Sequence, residues 1–203
     1  KMSQIENLLE HEAKEQFKAV LIQVSDLEES SFQPLLDICE LVTYKKGEIV
    51  INEGEIAQYY HFICKGIIRV YFYKHEKLII ERFEKENGLF GGNFTHIFNH
   101  PTTHVYEALE DLVLLRFKYS DLDALCLQSH AIERAYRIMI EIFHAGYTHR
   151  IYAFKSLTSE ERYQVFTEQY GDIANRVPLK DTANYLSMTP ETLSRIRAKF
   201  DMR

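Results

Sequence analysis

The stretch from Val42 to Phe117 constrains the fold most. Short runs rich in β-branched and aromatic residues recur there, at Glu48–Ile51, Tyr59–Lys65, Ile67–Tyr73, Leu78–Phe83, Val105–Leu109 and Leu112–Phe117, with Gly47, Gly54, Gly66 and Gly88 between them. Many short strands broken by glycine turns read as an antiparallel sandwich or barrel. Glycine suits those corners because, lacking Cβ, it reaches positive φ at little cost. On either side the apolar spacing changes to three and four. Ile5, Leu8, Leu9, Phe17, Val20 and Leu21 mark a helix before the strands, and a short helix follows from Ser31 to Leu36. The class is therefore α+β, with helices flanking a β unit.

From Ser120 the helical period returns. Asp121–Gln128 reads as one short helix, and a long one runs from about Ile132 to Phe154. Its apolar residues Ile132, Tyr136, Met139, Ile140, Phe143, Tyr147, Ile151 and Phe154 form one continuous stripe. So long a stripe needs a partner surface. A second copy packed as a coiled coil is the simplest one, and the chain's own sheet is the other.

The remaining chain is helical in pattern. Ser159, followed by Glu160 and Glu161, reads as a helix start with acidic residues in the first turn. Leu179–Leu186 is a short helix, and Ser187–Met188 a tight turn. Thr189-Pro190 then opens a second helix, with threonine as N-cap and proline at the first helical position. Small Ala183 lets two helices approach, and Leu186, Leu193 and Ile196 would lock their crossing. That is the helix-turn-helix layout. The second helix would expose Glu191, Thr192, Ser194, Arg195, Lys199 and, further round, Arg197. In a major groove, arginine pairs with guanine and glutamate accepts from cytosine, while a helix N-terminus and its hydroxyls suit phosphate.

Charge agrees with a DNA-facing tail. The whole chain has 24 basic and 30 acidic residues, yet the segment from Lys155 onward has eight basic and seven acidic. The acid lies in the β part. Cys39, Cys64 and Cys126 are far apart and odd in number, which excludes a disulfide scaffold or a Cys-rich zinc site and makes a reducing cytoplasm the simplest setting. No apolar run reaches the ~18–20 residues of a membrane span, and no signal segment is recognised at the start.

The tail Arg-Val-Pro-Leu-Lys-Asp-Thr-Ala-Asn-Tyr-Leu (Arg176–Leu186) and Thr-Pro-Glu-Thr-Leu-Ser-Arg-Ile-Arg (Thr189–Arg197) resembles the DNA-binding end of a Crp/Fnr-type transcription regulator. It is most similar to the Bacteroidetes branch, as is Glu160-Glu161-Arg162-Tyr163. Upstream, Asn52–Glu55, Lys65-Gly66, Asn87–Gly92 and Glu107–Asp111 resemble a cyclic-nucleotide-binding β-roll. The resemblance implies an antiparallel, jelly-roll-like sensor β-roll over 1–129 and a dimerisation helix over 130–156. Over 157–203 it implies an all-helical helix-turn-helix domain without the usual β wing. It implies a cytoplasmic homodimer on a palindromic operator of double-stranded DNA, not an enzyme and not at a membrane, and it allows RNA polymerase as a partner. By position, Glu191 and Arg195 would touch base edges, with Thr189, Thr192 and Ser194 near phosphates. Arg197 and Lys199 match basic positions without an assigned role.

One departure bears on the signal. Cyclic-nucleotide members carry a Gly-Glu-Leu run, whose glutamate binds the ribose, and an Arg-Ser or Arg-Ala pair, whose arginine binds the phosphate. Here those positions read Gly92-Asn93-Phe94 and Thr103-His104. Losing the charge-assisted arginine contact removes roughly 1.5–3 kcal/mol, about ten- to hundredfold in affinity. His104 would be mostly neutral at pH 7 if unperturbed. Tight cyclic AMP binding is therefore not expected, and a different small-molecule effector stays open. The degenerate pocket would comprise Gly91, Gly92, Asn93, Phe94, Thr102, Thr103 and His104, walled by Val105 and, from the long helix, by Tyr147 and Thr148.

Other constellations are weaker. His96, His100 and His104 are spaced by four, but Pro101 breaks any helix there, so a loop cluster is expected rather than a metal site. The cysteines lack the clustering of iron–sulfur members. The rival functions are a β-roll ligand-binding module and a cupin-like metal enzyme without DNA binding. The second requires a His-x-His pair, which this sequence does not contain.

Overall fold

The computed structural model describes residues 4–25, 29–92, 95–171 and 173–201. By contact, the chain divides into two compact units, Lys1–Val70 with Phe83–Glu141, and Tyr71–Arg82 with Ile142–Arg203.

Helices α1 (Gln4–Val24) and α2 (Glu29–Asp37) precede strands β1 (Glu40–Tyr44), β2 (Ile49–Ile51), β3 (Tyr59–Lys65), β4 (Ile68–Lys74), β5 (Lys77–Glu84) and β6 (Leu89–Phe90). The short helix α3 (Thr95–Phe98) leads to β7 (Val105–Ala108) and β8 (Leu112–Lys118). Two four-stranded sheets result, ordered β1-β8-β3-β6 and β2-β7-β4-β5. β8 pairs antiparallel with β1 (Val42 opposite Leu114) and with β3 (Phe62 opposite Leu115). Its Leu114 and Leu115 point to opposite faces and are both fully buried, as a central strand covered on two sides requires. On one face Ile63, Ile68, Val70, Tyr106, Leu112 and Leu114 form the core. On the other, Phe17 of α1 packs on Phe62 and Phe117, with ring centroids 4.8 and 5.8 Å away.

Gly66 turns β3 into β4 with φ +98°. A Cβ there would lie 2.7 Å from Leu112 Cδ2 and 2.8 Å from the Asp111 carbonyl, so both the conformation and the space demand glycine. The expected strands all appear, within a residue or two at their ends. Two further strands lack a sequence signature. β1 is a partly exposed edge strand, so its alternation is blurred, and β6 has only two residues, too few to show a period.

α4 (Tyr119–Gln128) leads into α5 (His130–Ser156), a helix of 27 residues. The predicted stripe on α5 is covered unevenly. Ile132 and Ala135 are buried, whereas Ile140 is 40% exposed and Ile151 56%, with Ile142 and Tyr152 beside them at 52% and 56%.

In the second unit, α6 (Ser159–Tyr170) starts where its acidic first turn predicts, but its cap is Thr158. The Glu161 N–H donates to Thr158 Oγ1 at 3.3 Å, and the Thr158 N–H donates to Glu161 Oε2 at 2.8 Å. That reciprocal pair satisfies two donors that the first turn would leave open. A 3-10 turn (Ile173–Asn175) precedes α7 (Leu179–Tyr185) and α8 (Pro190–Asp201). Phe166, Ile173, Ala183, Leu186, Leu193 and Ile196 form the small core of this unit. Among the described residues, no helix is long and apolar enough to cross a membrane.

Candidate DNA-reading helices and ligand pocket

α7 ends in a Schellman motif. The Met188 N–H donates to the Ala183 carbonyl and the Ser187 N–H to the Asn184 carbonyl, each at 3.0 Å, with Ser187 at φ +53°. The chain thereby reverses within two residues, and α8 starts at once. Thr189 caps it, its Oγ1 accepting from the Thr192 N–H at 3.2 Å. Ala183 is fully buried and small, which lets α8 pack closely on α7, and Leu193 and Ile196 of α8 are buried with it. Burying that face fixes the opposite one. Thr189, Glu191, Ser194, Arg195 and Lys199 are exposed, while Thr192 and Arg197 are half-buried.

The first turn carries its charge firmly. The Glu191 carboxyl is held below the ordinary range first by its own backbone N–H, then by the Thr189 hydroxyl, and last by Arg195. Arg195 extends along the same face, its Nη2 3.5 Å from Thr192 Oγ1. The other two basic residues behave differently. Arg197 Nη2 donates to Asn175 Oδ1 at 3.3 Å, and Lys199 Nζ to Glu160 Oε1 at 2.5 Å. Both fasten α8 to its own unit, a bracing role that the sequence pattern did not reveal.

The pocket residues are arranged as follows. Gly91 and Gly92 are buried at the end of β6, and Asn93 and Phe94 lie outside the described residues. Tyr106 Oη donates to the Gly91 carbonyl at 2.9 Å, and the Gly92 N–H donates to Tyr119 Oη at 2.9 Å. A Cβ on Gly91 would collide with the Tyr119 hydroxyl, and one on Gly92 with Ala57 and Thr95. Thr102 is buried and its backbone is bonded to Gly54 and Glu55, each at 2.8 Å. Exposed Thr103 and half-buried His104 bond each other through Oγ1 and Nδ1 at 3.1 Å. Tyr147 and Thr148 belong to the second unit, where Tyr147 is flanked by Arg82 and Arg150 and Thr148 Oγ1 bonds the His144 carbonyl of its own helix.

A tyrosine network without a sequence signature sits behind the glycines. Tyr119 stacks on His96 of α3 at 3.7 Å and meets Tyr60 edge-on at 4.4 Å. Tyr60 in turn shares a 2.7 Å hydroxyl hydrogen bond with Tyr136 of α5. Burial pushes all three phenols above their ordinary range, so they stay neutral donors and acceptors. The network joins residues from β3, β8/α4, α3 and α5, and nothing in the local pattern of any one segment announces it.

The segment Gly91–His104 contains no lysine or arginine, and the buried peptide groups beside it already bond tyrosine hydroxyls. His96, His100 and His104 do not share a helix, since α3 ends at Phe98. Among the described residues, no cluster of three metal-ligating side chains occurs.

Residues 41–129, which hold the β strands, match the family described as the cyclic nucleotide-binding domain. The structure is similar to FixK2 from Bradyrhizobium japonicum, with TM-score 0.68 and 21% identity over 81% of this chain and 85% of that one. It is also similar to a CooA mutant from Carboxydothermus hydrogenoformans (0.67, 16% identity, 90% and 84%). A third likeness is to the catabolite activator protein of Thermus thermophilus (0.53, 16%, 90% and 87%). These neighbours are Crp/Fnr regulators, and at such identities the likeness is one of fold. No curated protein matches the chain in sequence.

Proposed function

We propose that this chain is a DNA-binding transcription regulator of the Crp/Fnr type that does not answer to cyclic AMP. Residues 1–129 act as the sensor β-roll, 130–156 as the dimerisation helix and 157–203 as the helix-turn-helix domain. The observation that carries the reading is α8: a capped helix following a two-residue reversal, with Leu193 and Ile196 buried and Glu191 and Arg195 outward. Glu191 and Arg195 read base edges, and Thr189, Thr192 and Ser194 meet phosphates. The exposed run around Ile140 and Ile151 supports α5 as the seam between two copies on a palindromic operator of double-stranded DNA. The Thr-Pro-Glu-Thr motif supports a place in the Bacteroidetes branch. The tyrosine-filled cassette supports a signal other than a cyclic nucleotide, or a constitutively competent form.

Selection of bound fragments from a random duplex pool, with and without a metabolite mixture, tests the assignment. An empty selection in both arms refutes it. On a selected operator, Arg195→Ala is expected to cost ~1–3 kcal/mol, about five- to 150-fold in affinity. Unchanged binding would mean that α8 merely caps the fold, as in a ligand-binding module.

A further inference from the structure

β4 and β5 form a hairpin whose tip residues His75 and Glu76 both take left-handed φ, +48° and +63°. β5 ends the strand order of its sheet, so one row of its N–H and C=O groups meets no further strand. Part of that row is nevertheless occupied, and by a side chain of α7. The Ile80 N–H donates to Asn184 Oδ1 at 2.8 Å, and Asn184 Nδ2 donates to the Leu78 carbonyl at 2.9 Å. Leu78 and Ile80 are alternate residues and present these groups to the same edge. A carboxamide holds one acceptor and two donors in a single plane, so Asn184 takes the place of a peptide group from a neighbouring strand. A hydroxyl offers both roles only from one atom, and a carboxylate only accepts.

The same short segment is held a second time. Arg150 of α5 donates to the Glu81 carbonyl at 2.5 Å, and Arg82 lies over the Tyr147 ring at 5.5 Å. All these residues fall within the second unit, so hairpin tip and helical tail are one compact body. Asn184 also neighbours Ala183, on which α8 is seated.

We propose that Asn184 is a positioning latch. Its amide closes the open edge of β5 and fixes α7, with α8 packed on it, to the β4–β5 hairpin. The hairpin then aims the reading helix. The latch itself needs no DNA, and its consequence for operator choice rests on the function proposed above.

Hydrogen exchange on the full-length protein tests the latch. The Ile80 amide, though on a sheet edge, is expected to be protected, and in Asn184→Ala to exchange roughly ten- to hundredfold faster, the range that losing two neutral hydrogen bonds implies. The Leu193 amide, inside the α7–α8 packing, should be unmoved. Asn184→Asp keeps the size and the acceptor but sets an oxygen against the Leu78 carbonyl, so it should also speed Ile80. An unprotected Ile80 amide in the parent protein, or parent-like protection in both variants, overturns the latch. Aiming is read separately, by selecting duplexes with randomised half-site spacing. The parent should favour one spacing and the Ala variant a spread. An unchanged preference despite lost Ile80 protection overturns the aiming role alone, and an empty selection by the parent overturns the DNA reading while the exchange result stands.

Discussion

Tyr119→Phe isolates what the cassette glycines depend on. The ring would remain between Tyr60 and His96, so packing is nearly conserved and only the hydroxyl is lost. That hydroxyl accepts the buried Gly92 N–H at 2.9 Å. Gly92 is crowded by Ala57 and Thr95, which leaves little room for water or for the peptide to turn elsewhere. A buried donor without an acceptor costs about 1–3 kcal/mol, more than the net gain of an ordinary hydrogen bond. With a urea slope of roughly 2 kcal/mol/M, the midpoint should fall by about 0.5–1.5 M. The chain has no tryptophan, so the transition is best followed by circular dichroism in the β-sheet region. Tyr73→Phe, on an exposed ring, serves as the silent control. A midpoint for Tyr119→Phe within about 0.2 M of the parent's would refute the argument that tyrosine hydroxyls, rather than a ligand, satisfy the cassette.

Two further perturbations address the tail and the core. Ser187→Gly removes the strain of a non-glycine residue at φ +53° and should stabilise the second unit by up to ~1 kcal/mol, a rise of up to about 4–8 °C in its melting temperature by calorimetry; a fall would show that the serine side chain contributes more than its backbone costs. Alkaline pH should destabilise the β-roll. Burial pushes Cys39 from 9.0 up to about 12, so its contribution is intact below pH 9 and is lost as pH rises toward 12, at about 1.4 kcal/mol per pH unit. Urea midpoints measured from pH 7 to 11 should stay level and then fall above pH 9, and Cys39→Ala should soften that fall.

The elements that could be read from sequence are those whose causes are local. Strand composition, glycine corners and the Thr189-Pro190 start need only neighbouring residues, and the inward Leu186, Leu193 and Ile196 follow from helical spacing. The uncovered middle of α5 is also visible as a stripe, although which parts of it the chain itself buries is not. The tyrosine network and the Asn184 contacts were invisible because their partners lie far apart in sequence. Tyr60 and Tyr136 are 76 residues apart, and Asn184 and Leu78 are 106. Arg197 and Lys199 carried no assigned role, because a linear pattern shows charge but not the Asn175 and Glu160 that lie beside them.

The corner between α5 and α6 has a mechanical consequence. Only Leu157 and Thr158 separate the two helices, and Thr158 is already locked to Glu161 from both sides. Such a joint has no slack in which torque can dissipate. Within the second unit, a few degrees of roll in the last turns of α5 would pass straight into α6, and through the Lys199–Glu160 tie into α8. Lengthening this elbow by a glycine or two would turn a rigid crank into a loose hinge, and any regulation that depends on roll would vanish although every binding surface remained intact.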